Sequence, residues 1–351
     1  MQEIIHSQDI EKSILQAVGS YPHDKLFVLT DETTYRLCFP LVEHIDTLES
    51  VVHIVIGATD VHKNVDTLVH VWKQLGDNGA TRHSLMINLG GGMVTDLGGF
   101  AAATFKRGIA YVNIPTTLLS MVDASVGGKT GINFNGLKNE IGAFAPARSV
   151  ILDTCFLPTL DYPNLASGYA EMLKHGVIST VEHWAELLAF DLSGCVNYSH
   201  LQTLISKSVM IKKDIVEQDP KEHGIRKALN LGHTVGHAFE SLALAQGRPH
   251  LHGYAVAWGM VCELYLSFCK AGFPKEKLQQ MIQFVRENYG CFVFDCNDYD
   301  SLYQFMTHDK KNTSGVINFT LMGDVGDIRI NQTATKDEIF EMFDFYREVM
   351  G

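Results

Sequence analysis

The chain lacks the marks of several protein classes. Its cysteines are few, scattered and odd in number. They are Cys38, Cys155, Cys195, Cys262, Cys269, Cys291 and Cys296, and none forms a Cys-x-x-Cys pair. That argues against a disulfide framework and predicts free thiols in a reducing cytoplasm. No apolar run approaches the length of a membrane span. Residues Met1–Gln16 lack the basic start and apolar stretch of a signal peptide. Positive charge is in deficit, with 28 Lys and Arg against 40 Asp and Glu, a formal net charge of −12. Such a balance disfavours nucleic acid and anionic membrane as partners. Any anionic substrate must then be held by locally concentrated cations. Internal repeats and low-complexity segments are also missing.

What remains is the composition of a soluble globular protein, 46% hydrophobic and 19% charged over 351 residues. That length suffices for two domains with substantial cores. In the first 150 residues short apolar runs alternate with polar periodic segments. Lys25–Leu29, Val51–Ile56, Ser84–Leu89, Tyr111–Ile114 and Ser149–Leu152 read as buried strands, with helices over Asp66–Gly76 and Met93–Phe105. Alternation of this kind predicts an α/β domain with a doubly wound parallel sheet. After Thr154 the pattern turns helical: Leu165–Ile178, His183–Phe190, His200–Gln218, Thr234–Ala245, Tyr254–Lys270, Lys275–Tyr289 and Lys336–Val349. The best strand signal there is Ile317–Met322. Leu157-Pro158-Thr159 breaks regular structure. The expected division is an α/β domain over 1–155 and a mainly helical domain over 156–351.

Three residues of the second half offer one carboxylate and two imidazoles, the ligand set of a catalytic zinc with an open coordination position. Glu171 lies in Gly168-Tyr-Ala-Glu-Met-Leu-Lys-His175, His233 in Asn230-Leu-Gly-His-Thr-Val-Gly-His237, and His252 in Leu251-His-Gly-Tyr-Ala-Val256. Taken alone, they are better read as two ordinary buried histidines and a helix-surface glutamate. Lys174 shares a helical face with Glu171, as an ordinary ion pair or an active-site pair. His233 and His237 also share a face, spaced for two ligands or for one ligand and a proton-transfer group. Upstream, Gly90-Gly91-Gly92 joins a strand to a helix, where backbone amides approach a pyrophosphate; a tight turn alone would need the same glycines. The segment Gly127-Gly128-Lys129-Thr130 looks like a P-loop, but Asp123 stands where that motif needs glycine, so an ATPase reading is poor. Lys212 and Arg226 precede Asn230, and an Arg–Lys pair suits a carboxylate.

Together these segments resemble the 3-dehydroquinate synthases of the sugar-phosphate cyclase superfamily. The resemblance rests on Gly90-Gly-Gly-Met-Val-Thr-Asp-Leu-Gly-Gly-Phe100, Lys106-Arg-Gly108, Pro115-Thr-Thr-Leu-Leu-Ser120 and Val122-Asp-Ala-Ser-Val-Gly-Gly-Lys-Thr130. It continues through Leu137-Lys-Asn139, Ala166-Ser-Gly-Tyr-Ala-Glu171, Asn230 to His237, Leu251-His-Gly253 and Asp309-Lys-Lys311. It implies a Rossmann-like NAD domain followed by a mostly helical metal domain. It also implies a lyase of the shikimate pathway, which leads to chorismate and the aromatic amino acids. Bound NAD transiently oxidises the C5 alcohol of 3-deoxy-D-arabino-heptulosonate 7-phosphate, phosphate is eliminated, and the ketone is reduced again. Ring opening and an intramolecular aldol step then give 3-dehydroquinate.

The same resemblance implies roles for individual residues. Glu171, His233 and His252 would hold a divalent metal, zinc or alternatively cobalt. Arg107, Lys129, Asn139, His237 and one of Lys310 and Lys311 would surround the substrate phosphate. Lys212 and Arg226 would hold the carboxylate, and Asp123, Lys174 and Asn230 would make other substrate contacts. NAD would meet Asp31, Asp60, Lys63, Gly92, Asp96, Thr116, Thr117, Lys129, Lys138 and Thr159. Arg107 would reach the neighbouring subunit's site, which implies a homodimer. The chain departs from the family's usual pattern at Thr95 for Gly, Tyr254 for Glu, and Thr59-Asp60 for Gly-Glu. Alternative functions are another sugar-phosphate cyclase acting on a heptulose phosphate, a metal-dependent alcohol dehydrogenase, or a non-catalytic metal-binding scaffold.

Overall fold

A computed structural model describes residues 2–307 and 316–351. Packing divides them into two compact units: residues up to Asp161 together with Asn197–Val209, and Tyr162–Val196 together with Met210–Gly351.

The first unit is built on a parallel six-stranded sheet. Its strands are β1 (Glu3–His6), β2 (Leu26–Asp31), β3 (Val52–Ile56), β4 (Leu85–Gly90), β5 (Ala110–Pro115) and β8 (Ser149–Leu152), in the order β1-β8-β5-β4-β2-β3. Every residue of β4 is buried, and all but Asn88 are apolar or glycine, as suits a strand covered on both faces. Helices α1 (Ile10–Gly19), α2 (Glu32–Leu37), α3 (Val65–Asp77) and α4 (Gly92–Thr104) cover the sheet. Ile14, Val28, Leu85, Ile87, Val112, Ile151 and Phe156 form the core on one side. Helix α4 lies hard against β4: a Cβ on Gly98 would meet Asn88 Oδ1 at 2.2 Å. That close packing fixes the glycine turn between them.

Strands β6 (Lys129–Phe134) and β7 (Leu137–Phe144) form a separate antiparallel hairpin. The first half of α7 (Tyr198–Gln218) groups with this unit. Its Gln202 side chain bonds Thr154 N–H and Leu152 C=O, each at 3.0 Å, and Ser206 bonds His6 at 2.9 Å.

The second unit is mostly helical. It contains α5 (Tyr162–Val177), α6 (Val181–Leu188), the second half of α7, α8 (His233–Ala245), α9 (His252–Ala271), α10 (Lys275–Tyr289), α11 (Tyr299–Thr307) and α12 (Lys336–Met350), with the hairpin β9 (Phe319–Asp324) and β10 (Asp327–Gln332). Helix α9 is buried along most of its length. It packs backbone to backbone on two neighbours. A Cβ on Gly253 would meet Ser167 O of α5 at 1.8 Å, and one on Gly259 would meet Gly232 O beside α8 at 2.0 Å. Only glycine allows such contacts.

Candidate active site

Helices α5, α8 and α9 each bring one ligand-type side chain to a common point. Glu171 projects from the middle of α5 and is fully buried. His233 and His252 are the first residues of α8 and α9. The Nε2 atoms of His233 and His252 stand 3.3 and 3.5 Å from Glu171 Oε1. Ligand atoms about 2.0–2.1 Å from a tetrahedral zinc are themselves about 3.4 Å apart. Glu171 Oε1 is buried without a well-formed hydrogen bond, a costly state that a shared cation would relieve.

The outer faces of both imidazoles are also prepared. His233 Nδ1 lies 3.2 Å from Leu231 C=O, and His252 Nδ1 lies 3.1 Å from Glu240 Oε2. With Nδ1–H donating in each case, Nε2 presents its lone pair inward, the tautomer a metal ligand needs. These residues fit a divalent metal.

Charges at the point are coupled. Burial alone would raise the Glu171 pKa, but the Lys174 ammonium and the His233 imidazole hold it well below the usual carboxylate range. Lys174 is buried and bonds the other oxygen of Glu171, Oε2. Burial disfavours charge on His252, yet the Glu171 and Glu240 carboxylates beside its two ring nitrogens push its pKa up to about 10. His237 completes the group, its ring centroid 5.5 Å from that of His233 and 5.9 Å from that of His252. His237, Glu240 and His252 also bring donor atoms within 4.8 Å of one another. Glu240 is already engaged with His252 Nδ1, so it acts as that ligand's outer partner.

The residues of this unit expected to hold the substrate carboxylate lie on α7 and in the segment that follows it. Asp219 accepts hydrogen bonds from three amides: His223 at 3.0 Å, Gly224 at 2.6 Å and Arg226 at 3.1 Å. They overcome the effect of burial and lower its pKa. Arg226 is buried and donates to Pro220 C=O at 2.8 Å. Lys212 is buried on α7. Asn230 donates to Glu222 Oε1 at 2.8 Å, with Glu222 in a left-handed conformation, φ +62°. The sequence reading missed Glu240, Glu222 and Asp219. The spacing of His237 and Glu240, three apart on one helix, was a usable signal for the first. Nothing in sequence marked the other two.

The residues expected to meet NAD lie in the first unit. Gly92 opens α4 after β4, with Gly91 as its N-cap. Lys63 is buried and reaches Asp96 Oδ2 at 2.6 Å and Asn139 Oδ1 at 2.5 Å. Asn139 was expected at the substrate phosphate; in this unit its side-chain oxygen rests on Lys63. Asp31 caps α2 through Thr33 and Thr34 N–H, both at 2.8 Å. Asp60 bonds Asn133 Nδ2 at 3.0 Å. Thr116 is buried at the end of β5, Thr117 bonds Ser120, and Thr159 bonds Phe156 C=O. Lys129 and Lys138 are exposed on the β6–β7 hairpin. Asp123 lies in a π-helical turn, Ser120–Ala124, a form often found at functional sites. Arg107 is exposed after Lys106, both left-handed at φ +69° and +50°. Lys310 and Lys311 lie outside the described residues.

Each departure from the family pattern has a visible consequence. The Thr95 hydroxyl bonds Gly92 C=O at 3.2 Å and closes the turn itself. Tyr254 packs edge-on against Tyr289 and Trp258, at 5.1 and 5.9 Å. Thr59 adopts φ +75°, an unfavourable conformation for a β-branched residue and natural for the usual glycine.

Comparison with known proteins agrees with this geometry. Residues 53–167 match the 3-dehydroquinate synthase N-terminal family and residues 168–312 the corresponding C-terminal family. A 3-dehydroquinate synthase of Parabacteroides distasonis is 55% identical over 350 residues, 100% of this chain and 99% of its own length. One from Streptococcus pyogenes is 36% identical, covering 92% of this chain and 90% of its own. Among solved structures, a 2-epi-5-epi-valiolone synthase of Streptomyces hygroscopicus, with NAD+ and Zn2+ bound, superposes with a TM-score of 0.88 at 24% identity, covering 99% of this chain and 97% of its own. An iron-containing alcohol dehydrogenase of Thermococcus thioreducens scores 0.67 at 16% identity, covering 99% and 98%. These two share the fold. Matched along its length by the family's own sequences, and carrying a carboxylate–imidazole trio on three glycine-packed helices, the chain belongs to the 3-dehydroquinate synthase family.

Proposed function

We propose that this chain converts 3-deoxy-D-arabino-heptulosonate 7-phosphate to 3-dehydroquinate and phosphate, with no net oxidation or reduction. The observation that carries the reading is the geometry of Glu171, His233 and His252, within a chain 55% identical to a 3-dehydroquinate synthase over its full length. When bound, NAD supplies transient oxidation and re-reduction of one alcohol, and the metal supplies the polarisation that makes that alcohol acidic.

The protein's own groups orient the substrate and handle its protons. Arg226 and Lys212 hold the carboxylate: the guanidinium fork supplies direction and the ammonium supplies charge. Lys174 keeps Glu171 ionised and its oxygens oriented. His237, next to both ligand imidazoles, holds or delivers a proton at the phosphate. In the first unit the Lys63–Asp96 pair orders the nucleotide end of α4. The family's use of Arg107 across a subunit boundary extends to this chain, which works as a homodimer. Two features support this. Arg107 is exposed on a strained left-handed pair. The nearby hairpin also exposes Phe134, Leu137, Ile141 and Phe144, the kind of apolar surface a second copy covers.

The test is substrate selection. Purified protein with NAD and zinc is given either the heptulosonate phosphate or sedoheptulose 7-phosphate, which lacks the carboxylate. Formation of 3-dehydroquinate from the first alone supports the reading. Turnover of the second in preference to the first would assign the chain to another cyclase activity.

A further inference from the structure

Glu263 lies well inside α9 with none of its surface exposed. Acidic side chains are almost never fully buried without partners. Both of its oxygens are engaged at the start of α8. Oε2 accepts from Gly232 N–H at 2.7 Å, and Oε1 accepts from Val235 N–H at 3.1 Å. A helix leaves its first amides without internal partners, and an N-cap side chain commonly takes one of them. Here the N-cap is Gly232, left-handed at φ +80° and without a capping side chain. The cap comes from another helix. A carboxylate suits that place because the helix dipole favours negative charge at the N-terminus.

His233 sits between the two amides that Glu263 holds. One side chain therefore clamps the peptides on both sides of that imidazole's backbone. It also ties α8 to α9, whose first residue is His252. The clamp closes over a contact with no slack, since Gly259 lies one turn before Glu263 and a Cβ there would strike Gly232 O at 2.0 Å and Gly236 N at 2.7 Å.

We propose that Glu263 is a positioning residue for the metal centre, fixing the first turn of α8 so that His233 meets Glu171 and His252 at ligand spacing. The inference rests on reading those three residues as metal ligands. The test is Glu263→Gln. Its amide nitrogen would face a backbone N–H, donor against donor, so one end of the clamp is released. Zinc affinity is expected to fall about tenfold or more, the range seen when outer partners of metal ligands are removed. The absorption spectrum of the cobalt-loaded variant should change, reporting an altered ligand set. Val285→Ala, a buried change on α10, serves as the stability control. It should lower Tm while leaving zinc affinity and the cobalt spectrum unchanged. If Glu263→Gln does not fold, Glu263→Asp, which keeps the charge and retracts it, is read in the same way. A folded Glu263 variant with wild-type zinc affinity and cobalt spectrum overturns the inference. So does a control that loses zinc affinity equally. Wild-type protein that binds no zinc overturns the metal reading itself, and this inference with it.

Discussion

At the scale of single residues, the site depends on how each charge is held. Glu240 fixes the His252 ring through Nδ1, so Glu240→Gln should weaken zinc about 10–100-fold with little loss of fold; zinc competition titration measures this. Chelation should abolish turnover, and added zinc or cobalt should restore it. Arg226→Ala should cost roughly 2–5 kcal/mol in kcat/KM for the heptulosonate phosphate while NAD affinity, measured separately, holds. An unchanged kcat/KM would remove the carboxylate role. Much of this was legible in sequence. The ligand trio and the Glu171–Lys174 pair stood out because their residue types and helical spacing are informative. Glu240 had a signal in its spacing from His237, whereas Glu263 had none, because a glutamate on a helix ordinarily reads as solvated charge. Only the packing shows what theirs touch. Asn139 was expected at the substrate phosphate, while its bond to Lys63 depends on the hairpin's path.

At the scale of elements, the three ligand-bearing helices meet at glycines. Gly259→Ala would force a Cβ into Gly232 O and push α9 away from α8. The expected cost is about 1–3 kcal/mol or more, read as a lower Tm together with weaker zinc binding. The 219–226 loop gives a pH prediction. The folded-state pKa of Asp219 is lowered from 3.8 by three amide hydrogen bonds acting against burial. Its stabilisation is therefore present above that value and is lost as pH falls through the depressed one. The Tm gap between wild type and Asp219→Asn should be constant near neutrality and shrink below about pH 4. A gap independent of pH would deny the carboxylate this role. Among elements, the buried strands β2, β3, β4, β5 and β8 were readable as apolar runs. Strand β1 was not, being four residues, Glu-Ile-Ile-His, with exposed ends. Strand β7 was missed because nearly all of it faces solvent, which erases the alternation that marks a half-buried strand. Short α11 was missed as well.

At the scale of the whole molecule, two claims remain to be measured. The first is the shared site. Arg107→Ala and His233→Ala chains, each inactive alone, should regain activity when mixed and allowed to exchange subunits. Each heterodimer would then hold one doubly damaged site and one intact site. A mixture that stays inactive would place Arg107 in its own chain's site. The second claim is central: one protein oxidises, eliminates, re-reduces and cyclises with NAD returned at every turnover. The direct measurement follows phosphate and NADH in the same reaction, with heptulosonate phosphate in large excess over NAD and zinc present. The account predicts many equivalents of phosphate per NAD with no accumulation of NADH. NADH rising in step with substrate loss, without phosphate, would contradict it and make the chain a dehydrogenase.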